Sequence, residues 1–154
     1  MPDMLVPLYN LPARETMPVA AGYEIRRAVH YEKHTLLQWV ETHFSAGWAS
    51  ETDITFSRQP VSCFVATKEN RLVGFACYEV ARRGFFGPLG VLDSERGQGL
   101  GGRLLLECLY GLETLGYGYG IIFAVGPADF YARTVGATII PNSDPGLFVS
   151  GAEL

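Results

Sequence analysis

Four glycines fall within six positions, Gly97, Gly99, Gly101 and Gly102, between an apolar run ending at Val91 and an amphipathic run starting at Leu100. Leu100, Leu104, Cys108, Leu112 and Leu115 recur at spacings of three and four. They mark one face of a helix that Gly116 ends. The chain must therefore pass from strand to helix through a glycine-rich turn. Glycine reaches positive φ and lets the backbone approach a ligand. The helix start behind it offers N–H groups without acceptors and the positive end of the dipole. Such a junction holds phosphates, although a plain connecting loop has the same composition. Two nucleotide motifs fail on detail. A P-loop needs Gly-Lys-Ser/Thr where this chain has Gly101-Gly102-Arg103. A dinucleotide fingerprint belongs early in a βαβ unit, and the strands ahead of this junction read as antiparallel.

Around the junction the periodicities predict an α/β domain. Residues 23–29 read as a first strand. Leu36, Leu37, Val40 and Phe44 predict a helix over residues 30–44 that Gly47 ends. Ser50-Glu51-Thr52-Asp53 reads as a second helix start with acids in the first turn, stopping before Pro60. Residues 61–67, 71–80 and 85–91 predict three strands joined by turns at 68–70 and 82–84. Residues 119–125 form an apolar run suited to a strand covered on both faces. A short helix over 127–134 and strands near 137–140 and 147–150 complete a mixed sheet of six to seven strands flanked by about four helices. Residues 1–20 hold Pro2, Pro7, Pro12 and Pro18 and show no period. They read as an extended arm, partly disordered or lying on the domain or on the partner subunit of a homodimer, with residues 21–154 as the domain.

Composition narrows the function. The length of 154 residues suits one domain. The net charge of −4 argues against nucleic-acid and anionic-membrane partners, yet leaves room for a small anionic ligand held by backbone N–H groups. Cys63, Cys77 and Cys108 are widely spaced, with no histidine at ligand spacing, so neither a metal site nor a disulfide framework is expected. No apolar run approaches the ~18–20 residues that span a bilayer. With no signal-peptide pattern at the start, a cytoplasmic location is the simplest expectation.

The junction also carries a family resemblance. Arg96-Gly97-Gln98-Gly99-Leu100-Gly101 matches the Q/R-x-x-G-x-G/A signature of GNAT acetyltransferases, with Val91 five residues upstream. Over residues 22–150 the chain resembles that family in its order of elements. The resemblance implies acetyl-CoA as co-substrate. Backbone N–H groups of Arg96, Gly97, Gln98, Gly99, Leu100, Gly101 and Gly102 would bind its pyrophosphate. The strand edge Leu89-Gly90-Val91 would pair with the pantetheine arm where that strand splays from the next. Phe130-Tyr131 sits where the family shows a Phe-Tyr pair, which implies Phe130 beside the cofactor and Tyr131 as the acid that protonates the departing thiolate. Here one extra residue separates the pair from Gly136, Ala137 stands in place of an aromatic, and Val125-Gly126-Pro127 replaces a common asparagine.

The implied reaction is direct attack by a primary amine of a small molecule or peptide on the thioester in a ternary complex. A phenol of ordinary pKa near 10 is suited to protonating a thiolate, and a backbone N–H near Val91 would meet the oxyanion. Glu79 is a candidate base, on a strand face shared with Val73, Phe75 and Cys77; relay through water is the other route. Trp48, Glu51 and Asp53 lie where the family's acceptor site falls and suggest a cationic amine. A solvated helix start explains the same acids. A non-catalytic acyl-CoA-binding or regulatory domain is the alternative function.

Overall fold

The computed structural model describes residues 1–147. Its centre is an antiparallel meander of β3 (Cys63–Lys68), β4 (Arg71–Tyr78) and β5 (Phe85–Val91). The β3–β4 turn closes on Glu69 and Asn70, both at positive φ (52° and 63°), the left-handed pair that suits the twist of a tight hairpin. β2 (Tyr23–Arg27) pairs with the outer side of β3. On the other side β6 (Tyr119–Ile122) runs parallel to β5. The full order is β2-β3-β4-β5-β6-β1-β7, a seven-stranded mixed sheet.

Strand β1 (Met4–Pro7) lies in the segment expected to be an arm. It pairs antiparallel with β6 over four residues and with the short β7 (Thr138–Ile139) over two. Met4, Val6 and Leu8 are fully buried in the core. Four residues between prolines are too few to show a period. Their strand character comes from neighbours on both sides. The rest of the segment lies on this same chain: the Tyr110 hydroxyl donates to Pro12 O (2.9 Å), Arg14 pairs with Glu107 (3.0 Å) and Ala20 N–H donates to Gln98 O (3.1 Å).

Helices cover both faces of the sheet. α3 (Leu100–Thr114) places Leu104, Leu105, Cys108, Leu109 and Leu112 against Phe64, Ala66, Val73 and Ala76, with α4 (Ala128–Val135) beside it. α1 (Lys33–His43) and α2 (Ala46–Thr55) cover the opposite face through Leu36, Val40 and Ala49 on Val65, Phe75 and Cys77. α2 begins four residues earlier than Ser50. The extended Ser45 caps it, its hydroxyl accepting Trp48 N–H at 3.0 Å, so Gly47 lies inside the helix rather than ending the one before. Glu51 and Asp53 therefore sit in its body and not in its first turn. β6 stops three residues short of expectation, and residues 148–150 of the last expected strand lie outside the described residues.

Since Leu8 is 1% exposed and packs beside Leu109 and Leu112, Leu8→Ala is expected to cost about 2–5 kcal/mol in urea unfolding. A change within about 0.5 kcal/mol, the range of surface substitutions, would return the first ten residues to a peripheral arm.

Candidate functional site

β5 and β6 pair only at Phe85↔Ile121 and Phe86↔Ile122. Beyond that they part. Gly87 takes φ 128°, and β5 continues to Val91. The chain after β6 is drawn the other way by the N-terminal segment. Ala124 N–H donates to the Asp3 carboxylate (2.9 Å) and Val125 N–H to Pro2 O (2.7 Å). The gap is a cleft of about 1030 Å³.

The strand register decides which backbone groups face it. Leu92 N–H donates to Val73 O at 2.9 Å. Phe75↔Gly90 and Gly74↔Val91 follow in antiparallel register. Hydrogen-bonded and non-bonded pairs alternate in such a ladder, so Gly90 spends its N–H and C=O on Phe75. Leu89 and Val91 aim theirs into the cleft. Of the predicted strand edge, two residues present backbone groups and the third does something else. A Cβ on Gly90 would stand 2.6 Å from Phe44 Cζ and 3.0 Å from Phe75 Cε1. Its bare backbone lets the Phe44 ring lie against the strand.

At one end of the cleft the glycine turn opens into α3. Gly99 caps the helix at φ 82°, and a Cβ there would meet Pro18 O at 2.7 Å. Only glycine fits between the left-handed turn and the N-terminal segment behind it. The first N–H groups of α3 have no acceptor within the helix and, with the dipole, favour an anion. Arg96, Gly97, Gly99, Leu100, Gly101 and Gly102 line the cleft, and no atom lies within 4 Å of a Cβ at Gly97. Gln98 does not line it; its carbonyl is held from behind by Ala20.

Phe130 and Tyr131 line the same cleft from α4, which Gly136 ends in left-handed geometry at φ 70°. Tyr131 is 8% exposed and packs against Phe86 and Phe130. Burial alone pushes its phenol up to about 12. Its hydroxyl has no hydrogen-bond partner among the described residues.

The acceptor candidates separate. Trp48 and Glu51 line the cleft, three positions apart on one face of α2. Asp53 lies two positions past Glu51, about 200° around the helix, and pairs with Lys33 at 2.7 Å on the outer surface. It is not part of the cleft. Burial raises the Glu51 carboxyl above its ordinary value. Glu79 is also elsewhere: β4 ends at Tyr78, and Glu79 turns to φ 64° with its carboxylate accepting Gly84 N–H at 2.5 Å. It closes the β4–β5 hairpin. Phe44 and Glu95 line the cleft without having been singled out in sequence. Phe44 read as one position of a helical face, and only Gly90 opposite it hinted at a close approach. Among the described residues no cluster of three His, Cys, Asp or Glu side chains is placed to hold a metal, and no helix is long and apolar enough to cross a membrane.

Known proteins share this fold. The model of the acetyltransferase (GNAT) family matches residues 24–136. A GCN5-related N-acetyltransferase from Sphaerobacter thermophilus superposes with TM-score 0.70 at 22% identity, over 90% of this chain and 48% of that one. The GCN5-related glucosamine N-acetyltransferase region of a fungal multi-domain GH3 β-N-acetylglucosaminidase gives TM-score 0.73 at 17% identity, over 90% of this chain and 19% of that one. A GNAT family acetyltransferase from Brucella melitensis, solved with acetyl-CoA, gives 0.58 at 19% identity, over 77% and 86%. The chain thus spans about half or less of the first two. At these identities the likeness is one of fold. No curated protein matches the chain in sequence.

The cleft predicts its own ligand test. Acetyl-CoA at ~100 times its Kd should raise stability by about 2.7 kcal/mol. Gly101→Val places a side chain toward Phe130, whose nearest atom is 3.8 Å from the new Cβ. It should remove the ligand shift while leaving the ligand-free melting temperature near that of the parent. An undiminished shift in the variant would place the ligand elsewhere.

Proposed function

The chain belongs to the GNAT acetyltransferase family, and from that premise we propose that it transfers an acetyl group from acetyl-CoA to a primary amine in a ternary complex. The observation that carries the reading is that a strand edge that parts from its neighbour, a glycine-lined helix start and a buried phenol with no hydrogen-bond partner among the described residues share one cleft. The α3 N-terminus and the N–H groups of Gly97, Gly99, Leu100, Gly101 and Gly102 hold the pyrophosphate. Leu89 and Val91 pair with the pantetheine arm as an added strand would. Phe130 packs beside it.

For the chemistry, the acceptor ammonium first loses a proton to water; the neutral amine's lone pair then bonds to the thioester carbonyl carbon and the C–S bond breaks. An N–H of the β5 edge, at Val91, meets the negative charge that gathers on oxygen. Tyr131 gives its proton to the departing sulfur and regains one as the nitrogen loses its own. A phenol held near 12 is a weaker acid than an exposed one. The same desolvation raises a thiolate formed beside it, so the two stay closer in basicity than their solution values suggest.

Tyr131→Phe keeps the ring and deletes the donor. It is expected to lower kcat by about 10²-fold, the low end for a general acid, because a thiolate needs less help than an amine. CoA affinity should stay within about threefold, since no ground-state contact is lost. Turnover at the parent rate would make Tyr131 a packing residue. The pH dependence has a definite sign. Tyr131 acts in its protonated form and its pKa is raised, so kcat should not fall as pH passes through 10, and loss from this group belongs near 12. A falling limb at 10 that vanishes in Tyr131→Phe would contradict the burial argument.

A further inference from the structure

The charged groups that line the cleft are nearly all spoken for. The Met1 amino group pairs with Asp144 (2.7 Å), Arg96 with Asp93 (3.1 Å), and Glu95 accepts the Tyr23 hydroxyl. Glu51 is the exception. Among the described residues it has neither an ion-pair partner nor a hydrogen bond, although it is half-buried. A carboxylate withdrawn from water without a partner is costly, and a ligand cation removes that cost.

Its surroundings say what kind of cation. One turn before it on α2, Trp48 stacks on Phe44 (centroids 5.4 Å apart, 26° between planes) and meets Phe75 edge-on at 5.9 Å. Phe44 reaches β5 only because Gly90 has no side chain. The result is an aromatic wall beside the strand edge, with one negative charge next to it. Aromatic faces attract ammonium groups and bury apolar bodies. A single carboxylate balances a single positive charge, and Asp53, the other acid of this helix segment, is already paired with Lys33.

We infer that Glu51 seats the ammonium group of the acceptor and that the Phe44–Trp48 wall receives an apolar body, so that the site selects monocationic amines with an apolar or aromatic arm over polycations. This inference rests on the acetyl-transfer reading and names its substrate class.

Phenethylamine serves as the probe, 2-phenylethanol as its neutral counterpart and spermidine as the polycation, each titrated calorimetrically at pH 7 into the free and the CoA-saturated protein. The parent should bind phenethylamine more tightly than the other two. Glu51→Gln should weaken phenethylamine about tenfold or more, as for loss of one charge-assisted contact. It should leave 2-phenylethanol within about threefold. Glu51→Asp, which keeps the charge, should fall between, and Asp53→Asn should change nothing. Equal affinity of parent and Glu51→Gln for phenethylamine overturns the inference, as does a parent that prefers the alcohol or spermidine, or that binds no phenethylamine. Should Glu51→Gln fail to fold, the parent's ranking of the three probes decides. Failure of the acetyl-transfer reading shows separately, as loss of CoA binding or as absence of free thiol with acetyl-CoA and every amine.

Discussion

The parting of β5 from β6 after two residue pairs is the constraint on which the rest of the site depends. A strand inside a sheet has its backbone groups satisfied on both sides, and leaving a row of them open needs a cause. Here the causes are local to each strand. Gly87 bends β5 at a φ that side chains avoid, and Pro88 follows with no N–H to give. The chain after β6 is pinned by Asp3 and by Pro2 O, which hold it against the N-terminal strand. The open edge is therefore a consequence of a bend within β5 and of hydrogen bonds made behind β6. Leu89 and Val91 turn their backbone groups toward the cleft because of where the register places Gly90.

The N-terminal segment does more than add a strand. Its first residues keep the cleft open at β6. Its later ones stand behind the glycine turn, where Pro18 O leaves no room for a Cβ at Gly99 and Ala20 holds the Gln98 carbonyl. Arg103 donates to Met17 O (3.3 Å) and to the Glu107 carboxylate (2.8 Å), tying the segment to α3. Both ends of the cleft, the glycine turn and the splayed end, thus lean on residues 1–20.

Much of this was legible in the sequence where local chemistry alone decides. The leucine spacing of α3, the glycines before it and the turn residues 68–70 place the meander and the strand-to-helix junction. The parts that were not legible depend on tertiary partners. β1 is a strand only because β6 and β7 flank it. α2 starts at Ser45 because that hydroxyl caps it, and the nearby Gly47 mimics a helix stop. Glu79 has the alternation of a strand residue, but the chain turns left-handed there and its carboxylate serves the hairpin. Glu51 and Asp53 are close in sequence, but two positions on a helix are about 200° apart, and only packing decides that Glu51 faces the cleft while Asp53 pairs with Lys33. The junction also resembled the family that the matched model identifies, which extended the reading to Tyr131; no local pattern signalled the rise in its pKa, because burial is a property of the packed core.

Amide hydrogen exchange with and without acetyl-CoA tests the central claim most directly, because the register assigns different fates to adjacent residues. Gly90, already bonded to Phe75, should be protected in the free protein and change little. Leu89, Val91 and Gly97, with Leu100, Gly101 and Gly102 at the helix start, should exchange faster in the free protein and slow when acetyl-CoA binds. Binding that slows exchange at other sites while these amides stay unchanged would contradict the account.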